Sequence, residues 1–241
     1  MEFTYNAYGA LVNLLRNNGY SFADYHNFAL FPRVVILRHD VDYSLEKALE
    51  LARFEKSIGI QSTYFLLLSS DLYNIASKKS LNYINEIIGL GHEIGLHFDE
   101  MKYQDQKKSI VSLVQKEAKI MSEILDITIS TVSMHRPSKD SIEAKYQFEG
   151  LVNSYSHTFF CDFKYVSDSR MHWREDVFNL VANNEHNRLH ILTHAFWYGE
   201  TQNEVKTILL NFINSGIIQR YASLNENFRC LSEYVTVEEI R

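Results

Sequence analysis

Apolar and polar positions along the chain alternate between two rhythms, one near two residues and one near 3.6. Val34-Val35-Ile36-Leu37 is an unbroken apolar run rich in β-branched residues, and it predicts a buried strand over 34–40. Segments of similar character predict further strands over 61–68, 92–98, 129–135, 159–166 and 188–194. Between them the spacing turns helical. Ala10, Leu11, Leu14 and Leu15 predict an opening helix over 5–17. Ser44 can cap a helix whose apolar face is Leu45, Ala48, Leu49 and Ala52 and which Gly59 ends. Helices over 81–90, 105–125 and 203–214 complete the alternation. Strand–helix alternation over this length predicts an α/β fold on a parallel sheet, open or closed into a barrel.

Parallel α/β folds build their sites at the C-terminal ends of the strands. The first strand ends in Arg38-His39-Asp40-Val41-Asp42. Side chains alternate along a strand, so Asp40 and Asp42 project to one side and His39 and Val41 to the other. Two adjacent carboxylates ionise together only when a cation or a base partner sits between them. Gly91-His92-Glu93-Ile94-Gly95-Leu96-His97-Phe98-Asp99-Glu100 closes another strand and offers imidazole. His135-Arg136-Pro137 and Leu192-Thr193-His194-Ala195-Phe196-Trp197 bring further candidates to strand ends. Several such groups converging at one edge point to a catalytic or metal site.

Composition narrows the choice. The 241 residues carry a formal net charge of -6, and Lys78-Lys79 and Lys107-Lys108 are isolated basic pairs, so no nucleic-acid partner is expected. Two cysteines, Cys161 and Cys230, are too few for a disulfide scaffold or a cysteine zinc site. The first residues, Met1-Glu2-Phe3-Thr4-Tyr5-Asn6, lack the basic and apolar regions of a secretory signal. No apolar stretch reaches the roughly 18 residues that would span a bilayer. These features lead to the expectation of one domain over 1–241, cytoplasmic and without a transmembrane segment.

The order Asp-x-Asp, Gly-His-Glu-Ile-Gly-x-His, Arg-Pro, Asp-Ser…Trp and Leu-x-His resembles the polysaccharide deacetylases, carbohydrate esterase family 4. Arg38 to Asp42, His92 to Asp99, Tyr165-Val166-Ser167-Asp168-Ser169 and Trp173-Arg174-Glu175 further resemble a divergent branch found with surface-polysaccharide genes. The resemblance covers about residues 34–200. It implies a distorted (β/α) barrel of about seven strands and a divalent metal, often zinc, used to hydrolyse N-acetyl groups from amino sugars. It further implies Asp40 as general base, Asp42 and His97 as metal ligands, Arg136 as the residue orienting the base, and His194 as the acid. Tyr43, Asp168, Ser169, Trp173 and Trp197 lie beside these residues and are candidates for substrate binding, Asp168 and Ser169 alternatively for orienting the acid.

One departure stands out. The family's second metal histidine falls four residues after the first, where this chain has Met101, and a thioether does not replace imidazole for zinc. His92 starts its strand five residues before His97, about 16 Å away and on the opposite face, so it is read as structural. The missing ligand must come from His135, Asp99, Glu100 or His39, and His135 is favoured. The expected activity is metal-dependent removal of acetyl from an amino sugar on a nucleotide- or lipid-linked precursor in surface-polysaccharide synthesis. The alternative is a metal-free, catalytically inactive relative that binds glycan or serves assembly; hydrolysis of a non-sugar amide is a third reading. The sequence leaves the oligomeric state open.

Overall fold

The computed structural model describes residues 1–104 and 108–240. The start of the helix expected over 105–125, and Lys107 of the second basic pair, lie outside the described residues. The chain divides into two compact units, Met1–Glu200 and Thr201–Arg241.

The first unit opens with helix α1 (Tyr5–Asn17), capped by the Thr4 hydroxyl, and the short strand β1 (Ser21–Ala23). Strand β2 (Val34–Val41) is followed by α2 (Leu45–Ser57), whose Lys47 amide donates to the Ser44 hydroxyl as the sequence predicts. Then come β3 (Thr63–Leu67), α3 (Lys78–Gly89), β4 (Glu93–Asp99), α4 (Ile110–Leu125) and β5 (Thr131–His135). The short elements α5 (Lys139–Glu143) and β6 (Val152–Asn153) lead to β7 (Lys164–Ser167), α6 (Val177–Ala182) and β8 (Arg188–Thr193). In the second unit α7 (Val205–Asn227) runs well past the expected end at 214, because Gly216 does not stop it. A mid-helix glycine costs only about 1 kcal/mol, and nothing crowds this one. Leu209, Leu210, Ile213 and Ile217 on α7 are exposed.

Every strand pairing is parallel, in the order β6-β5-β4-β3-β2-β8-β7, with β1 on the β3 edge of β2 ahead of where β3 begins. Among the described residues β6 and β7 do not pair, so the sheet is an open half-barrel of seven strands plus β1. Its curl can be read from one side chain. Arg38 on β2 donates to Ser133 on β5 at 2.7 Å and to Ser154 just after β6 at 2.8 Å. In a flat sheet β2 and β5 would stand about 14 Å apart, beyond an arginine's reach.

All eight residues of β2 are buried, the mark of a central strand covered on both faces. Inside the curl, Val34, Ile36, Phe65, Phe159 and Phe163 fill the lower half, and Arg38 lies over the Phe65 ring. Gly95 on β4 is required here, since a Cβ would come within 2.5 Å of that ring. The strand expected over 159–166 is therefore shorter. Thr158–Asp162 coils as a π-helical turn that sends Phe159 into this core, and β7 begins only at Lys164.

Outside the curl, Glu55 of α2 is fully buried and accepts from Tyr8, His39, Ser62 and Tyr64 at 2.5, 2.9, 2.6 and 2.8 Å. This network ties α1, α2, β2 and β3 together. Helical periodicity missed it because position 55 falls on the apolar face. His92 is buried beside it and contacts the Ser62 amide and the Ala52 carbonyl, far from the strand tips.

His190 on β8 sits in the inner core between the Tyr25 hydroxyl at 2.7 Å and the Phe159 carbonyl at 3.1 Å. Burial, reinforced by the charge of Arg38, pushes its pKa from 6.5 down to about 3. Below pH 6.5 the unfolded chain takes up a proton that the folded chain refuses, so stability falls with pH until about pH 3. Between pH 7 and pH 5 this one group is expected to cost about 2 kcal/mol. Urea titrations of wild type and His190→Gln at both pH values check it; equal losses in the two proteins would show that His190 does not carry the effect.

Candidate metal and catalytic site

Parallel strands deliver their C-terminal ends to one rim, and the candidate residues meet there. Asp40 is the penultimate residue of β2 and Asp42 follows the strand; His97 lies in β4, His135 ends β5 and His194 follows β8. All five line one cavity of about 840 Å³, together with Tyr43, Ser169 and Trp197. Asp168 and Trp173 do not line it; both are buried behind its wall. Tyr43 packs on Phe196 and Trp197 at centroid distances of 4.7 and 5.8 Å, giving the cavity an aromatic side. The Tyr73 hydroxyl, bonded to the Val41 carbonyl at 2.6 Å and the Leu67 amide at 2.9 Å, fixes the ends of β2 and β3.

Asp42 Oδ1, His97 Nε2 and His135 Nδ1 form a small triangle with edges of 3.2, 3.3 and 3.0 Å. A tetrahedral ion with bonds of about 2.0–2.1 Å spaces its ligand atoms about 3.3 Å apart. A proton shared by the two ring nitrogens would satisfy one edge only. Asp42 Oδ1 would then remain buried with no hydrogen-bond partner, as it is here. Carboxylate and imidazole are donors that suit zinc, so the residues present fit a divalent ion. Burial alone would raise the Asp42 pKa; the two imidazoles instead hold it well below the carboxylate range.

The other candidates for the third ligand are engaged elsewhere. Asp99 accepts from Arg136 at 2.9 Å and from the Met101 amide at 3.1 Å. Glu100 accepts from the Ser138 amide and the Ser141 hydroxyl, and His39 bonds to Thr193 and Glu55. Met101 is 45 % exposed, with its sulfur next to Gln104. Of the four candidates, His135 alone stands within ligand distance of both Asp42 and His97 among the described residues.

Asp40 and His194 flank the triangle. Asp40 Oδ2 lies 3.6 Å from His97 Nε2, and His194 Nε2 lies 3.8 Å from Asp42 Oδ2. Arg136 was the residue expected to orient Asp40, and the structure gives that contact to Arg38. The Arg38 guanidinium, fully buried, reaches both Asp40 oxygens at 2.7 and 3.0 Å. Arg136 points outward, 66 % exposed at its side chain, and pairs with Asp99. The reason is strand alternation: Arg38 lies two residues before Asp40 and shares its face, whereas Arg136 lies beyond the end of β5 with φ 47. Burial opposes the Asp40 charge, but Arg38, with His97 and His194, holds its pKa below the usual value.

Asp168 is the second supporting residue. Its carboxylate accepts from His194 Nδ1 at 2.6 Å and from the His194 amide at 3.1 Å. That fixes the tautomer and turns Nε2 towards Asp42. Burial would lower the His194 pKa, but the Asp168 carboxylate, aided by Asp40 and Asp42, lifts it to about 9. These carboxylates favour the protonated form of the ring. The Leu-x-His and Asp-Ser segments are adjacent because β7 and β8 pair in register, with Ser167 opposite Leu192.

No family model matches the sequence, and no curated protein matches it either. Among solved structures, a polysaccharide deacetylase from Bacillus cereus aligns at 13 % identity over 78 % of this chain and 88 % of its own, with TM-score 0.45. The chitin deacetylase of the fungal pathogen Colletotrichum lindemuthianum aligns at 13 % identity over 77 % and 83 %, with TM-score 0.47. A family 4 pseudoenzyme from Bacillus anthracis aligns at 15 % identity over 86 % and 77 %, with TM-score 0.40. Likenesses this weak leave the function of the chain to its own residues.

Proposed function

We propose that this protein is a metal-dependent amide hydrolase that removes acetyl from an amino sugar, acting on a precursor of a surface polysaccharide. The observation that carries this reading is the triangle of Asp42, His97 and His135, flanked on one side by the buried Asp40 carboxylate and on the other by the His194 imidazole that Asp168 holds. The sugar comes from the motif resemblance, and the aromatic side at Tyr43 and Trp197 suits a pyranose face. A divalent ion held there supplies Lewis-acid polarisation of the amide carbonyl and acidifies a water molecule.

The chain's own residues do the rest. Asp40, held by Arg38, accepts the proton of the attacking water as the carbonyl carbon becomes tetrahedral. His194, held by Asp168, gives the Nε2 proton to the amine nitrogen as the C–N bond breaks. Acetate and the free amino sugar leave. Acetate release from N-acetylated amino sugars by zinc-loaded protein tests the reading. Asp40→Asn and His194→Gln are each expected to lower turnover by about 10²–10⁴ with zinc content unchanged, read at a temperature where each variant is fully folded, since Asp40→Asn also leaves the buried Arg38 unmatched. Wild-type turnover in the double variant would place the chemistry elsewhere.

A further inference from the structure

The same cavity also carries basic side chains that no acid pairs with among the described residues. Of its carboxylates, Asp40 is matched by Arg38 and Asp99 by Arg136, and Asp42 belongs to the metal triangle. Asp71 lines the cavity from the loop after β3. Arg170, His172 and Arg174 line it from the segment after β7, the strand at one end of the order. Among the described residues none of these three side chains makes an ion pair or a hydrogen bond. The nearby acids are occupied: Glu175 pairs with Lys164 at 2.7 Å, and Asp176 caps α6 through the amides of Phe178 and Asn179.

The segment is built to present these groups. It is pinned at Asp168, buried against His194, and at Trp173, buried in the wall. The Ser167 and Ser169 hydroxyls bond at 2.7 Å, and the His172 amide returns to the Asp168 carbonyl. Between the pins, Arg170 and Met171 both adopt left-handed backbone conformations, φ 59 and 56, which cost non-glycine residues about 1–3 kcal/mol each. Exposed side chains at 170, 172 and 174 alternate with the less exposed Met171 and Trp173.

We infer that the substrate carries an anionic group, phosphoryl or carboxylate, which Arg170, His172 and Arg174 bind. A neutral glycan offers two free guanidiniums only neutral acceptors, whereas anionic oxygens accept stronger, charge-assisted hydrogen bonds from them. The side of the cavity says where the anion sits on the substrate. The leaving amine must face His194, and His194 is held by Asp168, the first residue of this same segment. The anion therefore belongs to the sugar half of the molecule, not to the acyl group. In a chain with net charge -6, such a local basic cluster also selects anionic substrates at encounter.

This inference rests on the deacetylase reading, and the test separates the two. Binding of N-acetylglucosamine 1-phosphate, N-acetylmuramic acid and methyl N-acetylglucosaminide to zinc-loaded protein is measured by calorimetry, and acetate release is followed on the same samples. At least one anionic sugar is expected to bind about tenfold or more tighter than the neutral glycoside, and the better of the two identifies the group. That advantage should vanish in Arg170→Gln/Arg174→Gln, with zinc affinity unchanged, and should shrink in the wild type as salt is raised. Equal binding of all three sugars, or an advantage that survives the double variant, overturns the anion site. An anion advantage without acetate release keeps the site and overturns the hydrolysis. Acetate release that is equal from neutral and anionic sugars, and undiminished in the double variant, keeps the hydrolysis and overturns the site.

Discussion

Replacing Asp42 by alanine is expected to abolish tight zinc binding and acetate release together. Asp42 Oδ1 is the one oxygen of the ligand triangle, and among the described residues the carboxylates Asp40 and Asp99 are held elsewhere, Asp40 by Arg38 and Asp99 by Arg136. Loss of a residue that merely supports a ligand costs about 10–100-fold in affinity, and loss of a ligand should exceed that. The wild type should hold about one equivalent of zinc and gain roughly 2.7 kcal/mol of stability when free zinc reaches a hundred times its dissociation constant. Asp42→Ala should gain none of it. His97→Ala and His135→Ala should behave like Asp42→Ala, whereas Met101→Ala should bind zinc like the wild type. Elemental analysis and zinc titration of thermal unfolding decide the matter. A wild type that takes up no zinc, cobalt or manganese would end the metal reading.

A linear motif leaves out what neighbouring strands bring to a site. A ligand missing at one sequence position can be restored from a neighbouring strand, because parallel register sets Asp99 of β4 opposite His135 of β5. The sequence places His135 at a strand end and so makes it a candidate, but only the pairing brings its Nδ1 within 3.0 Å of His97. The long, strongly periodic elements are legible for the same reason that they are stable: β2 is apolar on both faces, and α1 has the boundaries its spacing predicts. The short elements are not. β1 and β6 have three and two residues, and their hydrogen bonds depend on neighbours distant in sequence. The turn at Thr158–Asp162 contains Thr158, Phe159 and Phe160, residues that favour strands, yet it coils so that Phe159 can fill the core. There tertiary packing overrides local propensity.

The supporting residues were legible in part. Alternation along β2 puts Arg38 on the face of Asp40 and Asp42, a signal present in the sequence, whereas the motif resemblance points to Arg136. The sequence makes Asp168 a candidate for binding substrate or for orienting His194, and its full burial with a 2.6 Å bond to His194 Nδ1 favours the second. Glu55 gave no signal, since one carboxylate on an apolar helix face acquires meaning only when Tyr8, His39 and Tyr64 converge on it.

Arg38 and Arg136 offer the sharpest contrast in the molecule, because each is an arginine beside an aspartate at a strand end and only one is buried. Truncating Arg38 to methionine leaves Asp40 4 % exposed and without its cation. Breaking a buried pair from one side costs about 3–5 kcal/mol, since the remaining charge is neither solvated nor matched. Ser133 and Ser154 lose their guanidinium partner as well. Arg136→Met removes a pair whose arginine is largely in water, so stability should move by no more than about 0.5 kcal/mol. Pairing Arg38→Met with Asp40→Asn should recover part of the loss, because the uncompensated charge disappears; a double-mutant cycle in urea reads that coupling directly. Activity distinguishes orientation from mere stability. At a temperature where it is fully folded, Arg38→Met should keep its zinc, bound by residues Arg38 does not touch, yet lose turnover because Asp40 is no longer held in place. Arg136→Met should keep both. If Arg136→Met proved the more damaging to turnover at unchanged stability, the base would be oriented from β5 after all, and the assignment of Arg38 would fall.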